Sequence, residues 1–164
     1  EGSIEVYSEL GRGTTFKIHF PVASEPAEVV SEEEIDDGFP RGTETVLVVE
    51  DEEIVRELVS SVLQMVGYTI IVAENGDEAL RLAQRFEGEI DLLLTDVVMP
   101  GMNGPELARE LGEIHPETAV LFMSGYAQNA VFERGEAPHD RVFLGKPFTP
   151  PQLAVKVRQV LDRR

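Results

Sequence analysis

Val46-Leu47-Val48-Val49-Glu50-Asp51 runs from four aliphatic residues directly into two acids. A short, continuous, largely β-branched run without in–out alternation predicts a strand buried on both faces of a parallel sheet. The residues that follow change period. Ile54, Val55, Leu58, Val59, Val62, Leu63 and Val66 recur at helical spacing, and Gly67 closes the helix.

The alternation continues along the chain. Residues 68–72 read as a second strand, and Asn75 as the N-cap of a helix carrying Ala79, Leu80, Leu82, Ala83 and Phe86. Residues 90–94 make a third strand, and Leu107, Ala108, Leu111 and Ile114 a third helix. A fourth strand follows at 119–123, a weaker helix at 127–134 broken by Gly135 and Pro138, and a fifth strand at 142–144. Leu153, Val157, Val160 and Leu161 mark the last helix, with Pro150 and Pro151 in its first turn. Five βα units in about 120 residues predict an α/β fold, a doubly wound parallel sheet with helices on both faces. Periodicity leaves the strand order open.

Ahead of this unit the composition differs. Residues 1–22 alternate, with Ile4 and Val6 before a Gly-rich turn and Phe16, Ile18 and Phe20 after it, which reads as a β-hairpin. Residues 23–44 carry Pro26, Gly38, Pro40 and Gly42 among seven acids from Glu25 to Asp37. Like charges with little apolar surface do not offset ordering entropy, so this stretch reads as an acidic flexible linker before a domain at 45–164.

The whole chain has 164 residues, with 14 Lys and Arg against 31 Asp and Glu, a net charge of −17. Such a balance disfavours direct nucleic-acid binding, which depends on neutralising phosphates, and suits a site that concentrates cations. Absence of cysteine excludes disulfides, thiolate metal sites and thiol catalysis. No apolar run approaches the ~18 residues of a membrane span, so no membrane contact is expected. Beginning at Glu1, the sequence reads as a piece of a longer protein.

Ligands of open α/β sheets bind beyond the carboxyl ends of the strands. Glu50 and Asp51 follow the first strand, Thr95 and Asp96 the third, Ser124 the fourth and Lys146 the fifth. Singly, each reads as a cap or a solvated loop residue; four strand ends yielding acids, a hydroxyl and an ammonium form a coherent set. Clustered carboxylates repel and stay ionised together only beside a cation. Hard oxygen donors with open positions suit Mg²⁺. Asp96 is then a candidate nucleophile toward phosphorus, with Ser124 and Lys146 sharing the charge of the phosphoryl oxygens.

These residues resemble, over 45–163, the receiver domain of two-component response regulators. Glu50-Asp51 looks like its acidic pair, Asp96 like the phosphoacceptor, and Met99-Pro100-Gly101-Met102-Asn103-Gly104 like the loop after it. Ser124 matches the switch hydroxyl and Lys146-Pro147-Phe148 the lysine turn. The resemblance implies a flavodoxin-like (βα)5 fold with strand order 2-1-3-4-5 and a cis bond before Pro147. It implies Mg²⁺ held by Asp51, Asp96 and the backbone carbonyl of Val98, with Glu50 acting through water. It also implies a phosphohistidine donor on a kinase or phosphotransfer domain, a cytoplasmic location, and receiver–receiver dimerisation as an open option. Residues 1–22, through Ile4-Glu5-Val6, Ser8 to Phe16 and Phe20-Pro21, resemble the last hairpin of a histidine-kinase ATPase domain. That order is found in hybrid sensor kinases, and without the ATP-holding segments residues 1–164 are expected to have no kinase activity.

Phe143 stands near the family's switch aromatic, with a core role equally open; having no hydroxyl, it could change rotamer but not gain a hydrogen bond. Val98 and Tyr126 flank the path of hydrolytic water, and neither is an acid or amide, which implies slow self-dephosphorylation. The segment around the weak helix at 127–134 is the expected output surface. His19, His115 and His139 are scattered and read as solvated or capping residues. A haloacid-dehalogenase-type phosphatase needs an acid where Val98 stands. A flavodoxin-like flavin site would set a phosphate against Glu50, Asp51, Glu52 and Glu53. A degenerate receiver that only binds proteins is disfavoured by the complete acid, hydroxyl and lysine set.

Overall fold

A computed structural model describes residues 2–21, 39–125 and 142–163 of the chain. Tyr126, the expected helix at 127–134 and most of the acidic linker lie outside the described residues. The chain divides into two compact units, 1–37 and Gly38–Arg164.

In the first unit, β1 (Ser3–Glu9) and β2 (Gly13–His19) pair antiparallel. Gly11 and Gly13 take φ of 79° and 96° in the turn, a left-handed conformation that side chains with a Cβ rarely adopt. The register sets Ile4 opposite Ile18 and Val6 opposite Phe16 on one face, and Glu5 opposite Lys17 on the other. All four apolar residues are more than half exposed.

The second unit is a five-stranded sheet. Its strands are β3 (Thr45–Val49), β4 (Thr69–Ala73), β5 (Leu92–Asp96), β6 (Ala119–Gly125) and β7 (Val142–Lys146). All pair parallel in the order β4-β3-β5-β6-β7, which counted from Thr45 is the expected 2-1-3-4-5. The described helices are α1 (Glu53–Met65), α2 (Gly76–Arg85), α3 (Gly104–Ile114) and α4 (Pro150–Leu161).

Pleating divides the central strands between two cores. Val46 and Val48 with Leu92 and Leu94 join Val59 and Leu63 of α1 and Leu153 and Val157 of α4. Leu47, Val49 and Leu93 point the other way, to Ala79 and Ala83 of α2 and Leu107 and Leu111 of α3. Four β3 residues are fully buried, which is why that run carries no polar alternation.

Helix ends follow local chemistry. The Asn75 side chain accepts the Glu78 N–H at 2.9 Å, and Asn103 and Glu106 form a reciprocal capping box at the start of α3. Gly67, at φ 101°, ends α1. Residues ahead of β3 join this unit: Phe39 packs on the α1/α4 core, and Gly42 N–H donates to Val66 O at 3.1 Å. Glu44 accepts from Arg158 of α4 at 2.7 Å.

Candidate functional site

Parallel strands release their last residues at one edge, and here three of them carry a polar residue in their last two positions that stays in the ladder. The third strand is 92–96 rather than 90–94, the fourth runs on to Gly125 and the fifth to Lys146. Asp96 still pairs with Met123, and Ser124 with Gly145, so backbone hydrogen bonding continues where hydrophobicity has stopped.

Lys146 binds the acids from across the sheet. Its Nζ donates to Glu50 Oε2 at 2.6 Å and to Asp96 Oδ2 at 2.7 Å. Glu50 is 1% exposed, and this burial pushes its carboxyl above the ordinary range against the pull of Lys146. Burial alone would lower the Lys146 ammonium; its hydrogen bonds to Asp96 and Glu50 outweigh that and hold it above the usual lysine value. Asp51 is exposed at the rim.

One oxygen from each of Glu50, Asp51 and Asp96 lies within 4.8 Å of the others. Three acids facing one lysine leave excess negative charge, and hard oxygen donors of this number fit a small divalent cation that keeps part of its water shell. The remaining Asp96 oxygen, Oδ1, accepts the Val98 N–H at 3.3 Å, while the Val98 side chain is exposed. The loop after Asp96 is fixed from below: Val97 N–H donates to Met123 O, Gly104 N–H to Val97 O, and Met99 is buried.

The structure thus brings Glu50, Asp51, Asp96 and Lys146 together, with Val98 adjoining. Ser124 is fully buried in β6, one residue beyond the partner of Asp96. Phe143 stacks obliquely on Phe122, ring centroids 5.5 Å apart at 30°. The peptide before Pro147 is cis. One contributor escaped the sequence: Arg56 of α1 donates to the carbonyls of Glu50 at 2.7 Å and Asp51 at 3.2 Å, fixing the backbone of the acidic pair. A lone arginine on a helix carries no signal of that contact.

Comparison with known proteins agrees with this geometry. The model of the response regulator receiver domain matches residues 46–158. The sensor kinase CckA of Brucella abortus is 40% identical over 99% of this chain and 18% of its own length. The aerobic respiration control sensor protein ArcB of Escherichia coli is 33% identical over 98% of the chain and 21% of its own. This chain therefore spans about a fifth of the length of those two proteins. The receiver protein CpdR of Brucella abortus is 36% identical over 71% of the chain and 95% of its own length. Among solved structures, the receiver domain of the hybrid histidine kinase CckA matches at TM-score 0.60 and 34% identity, covering 71% of this chain and 98% of that one. The chemotaxis protein CheY4 of Vibrio cholerae matches at 0.64 and 30%, covering 73% and 99%. Through residues 46–158, this chain belongs to the response regulator receiver domains of two-component systems.

Proposed function

We propose that Asp96 accepts a phosphoryl group from a phosphohistidine of a kinase or phosphotransfer domain. An Asp96 carboxylate oxygen forms the new bond to phosphorus, and the bond to the donor nitrogen breaks with its electron pair staying on nitrogen. The observation that carries this reading is the Lys146 ammonium bridging Glu50 and Asp96, contributed by strands far apart in sequence, with Asp51 beside them.

Asp51, Asp96 and the Val98 carbonyl would hold Mg²⁺, with Glu50 acting through water, and the ion supplies positive charge to the phosphoryl oxygens. Lys146 orients Asp96 through its hydrogen bond, and shares that charge with the Ser124 hydroxyl. Incubation with acetyl phosphate and Mg²⁺ followed by intact-mass measurement tests the reading. The expected result is gain of one phosphoryl group, labile in base and absent in Asp96→Asn. No gain in the parent chain would leave a protein-binding receiver instead.

We infer further that 1–22 is the closing hairpin of a histidine-kinase ATPase domain, 23–44 a linker, and the whole a part of a cytoplasmic portion of a hybrid sensor kinase. The sensor kinase CckA and the sensor protein ArcB both align with nearly all of the chain, hairpin included. The exposed Ile4, Val6, Phe16 and Ile18 face also suits a hairpin that belongs against a larger core, since two strands alone are marginal in water. Amides 3–19 are expected to exchange with deuterium far faster than those of β3 and β5; equal protection would count against it. Among the described residues no helix is long and apolar enough to cross a membrane.

A further inference from the structure

The first turn of α3 closes on the backbone of Asp96. Gly104, the first residue of that helix, is buried, and its N–H donates to Val97 O at 3.1 Å. A Cβ on Gly104 would fall deep inside van der Waals contact of the Asp96 carbonyl oxygen, 3.1 Å from its carbonyl carbon and 3.2 Å from Thr95 Cγ2. Gly104 is not among the glycines with positive φ, so this close approach, not a dihedral, demands glycine. The fully buried Thr95 Oγ1 also donates to the same Asp96 carbonyl at 3.0 Å. The Asp96 carbonyl is therefore held by a hydroxyl and met closely by a helix that carries no side chain at the point of contact.

We propose that Gly104 is a positioning residue for the phosphoryl acceptor: its missing side chain lets α3 seat against the Asp96 carbonyl and so sets where the Asp96 carboxylate stands. This rests on the reading of Asp96 as phosphoacceptor. Asp96 Oδ2 meets Lys146 at 2.7 Å and Oδ1 meets Val98 N–H at 3.3 Å, so a shift of its Cα disturbs both. The two nearest obstructing atoms belong to the Asp96 backbone, which cannot rotate away. A displacement near 1 Å at a reacting group costs about 10²-fold in rate.

The test uses the 164-residue chain, acetyl phosphate and Mg²⁺, with the rate of mass gain and the thermal melt recorded together. Gly104→Ala is expected to melt cooperatively yet accept phosphoryl about 10²-fold more slowly. Leu111→Ala, a cavity in the same helix away from Asp96, is expected to lower the melting temperature and leave the rate of the folded protein unchanged. Gly104→Ala at the parent rate overturns the inference, and Asp96→Asn without phosphoryl gain shows the acceptor reading still standing. Equal rate losses in Gly104→Ala and Leu111→Ala also overturn it, as an effect of stability alone. Phosphoryl gain by Asp96→Asn removes both readings. Where Gly104→Ala does not fold, Thr95→Val decides: a loss of about fivefold from releasing the carbonyl supports the inference, and an unchanged rate overturns it.

Discussion

Lys146 Nζ lies 2.7 Å from Asp96 Oδ2 and 2.6 Å from Glu50 Oε2. One ammonium thus offsets two carboxylates, one of them almost wholly out of water, and the third acid, Asp51, stands within 4.8 Å of both.

Replacing Lys146 by Met leaves those two acids facing one another. Removing one partner of a buried pair costs about 3–5 kcal/mol, and the 22% exposure of the Lys146 side chain argues for the lower end. Urea melts without divalent ions are expected to show that loss. Phosphoryl gain from acetyl phosphate is expected to fall roughly 10²-fold. Parent-like values in both measurements would mean that the pair does no electrostatic duty.

Mg²⁺ is expected to stabilise the native chain, because the acids converge only when folded. At a concentration 100 times its dissociation constant the gain is about 2.7 kcal/mol, a rise of several degrees in Tm. Asp51→Asn is expected to abolish most of that rise. An equal rise in both chains would place the ion elsewhere.

Glu44 gives a pH signature away from the acids. Burial alone would raise its pKa, but the Arg158 hydrogen bond and two backbone N–H bonds outweigh it, so the folded value lies below the ordinary 4.5. A group with a depressed folded pKa contributes its stability above the unfolded value, and loses it as pH falls through the folded one. Glu44→Gln is therefore expected to cost about 1 kcal/mol near neutrality, the pair being partly exposed, and progressively less below pH 4.5. A mutant deficit constant from pH 7 to pH 3 would refute the assignment.

Val98→Asn tests the lifetime of the phosphoryl group. The Val98 side chain is 56% exposed and only its backbone N–H holds Asp96, so stability is expected to stay unchanged. An amide there can orient an attacking water, and the decay of the phosphorylated chain is expected to quicken roughly tenfold. An unaltered decay rate would show that Val98 does not govern hydrolysis.

The sheet was legible because β3 and the core of β5 are buried on both faces and carry an uninterrupted apolar run. Helix ends were legible where a single residue acts locally, as at Asn75 and Gly67. Strand ends were not. Thr95, Asp96, Ser124 and Lys146 are polar, so hydrophobicity stops before them, yet each remains in the ladder. The acids and the lysine could be named from their places after strands, whereas Arg56 and Gly104 act on nearby backbone carbonyls, and only the path of the folded loop brings them there.

The contact between Glu44 and Arg158 joins residues 114 positions apart, ahead of the first sheet strand and within the final helix. During synthesis, which proceeds from the amino end, the Lys146 neutralisation of Glu50 waits for β7 and the Glu44–Arg158 latch for α4. Glu50 and Asp96 are thus made before the lysine that offsets them, and the acidic rim is complete only once β7 has joined the sheet.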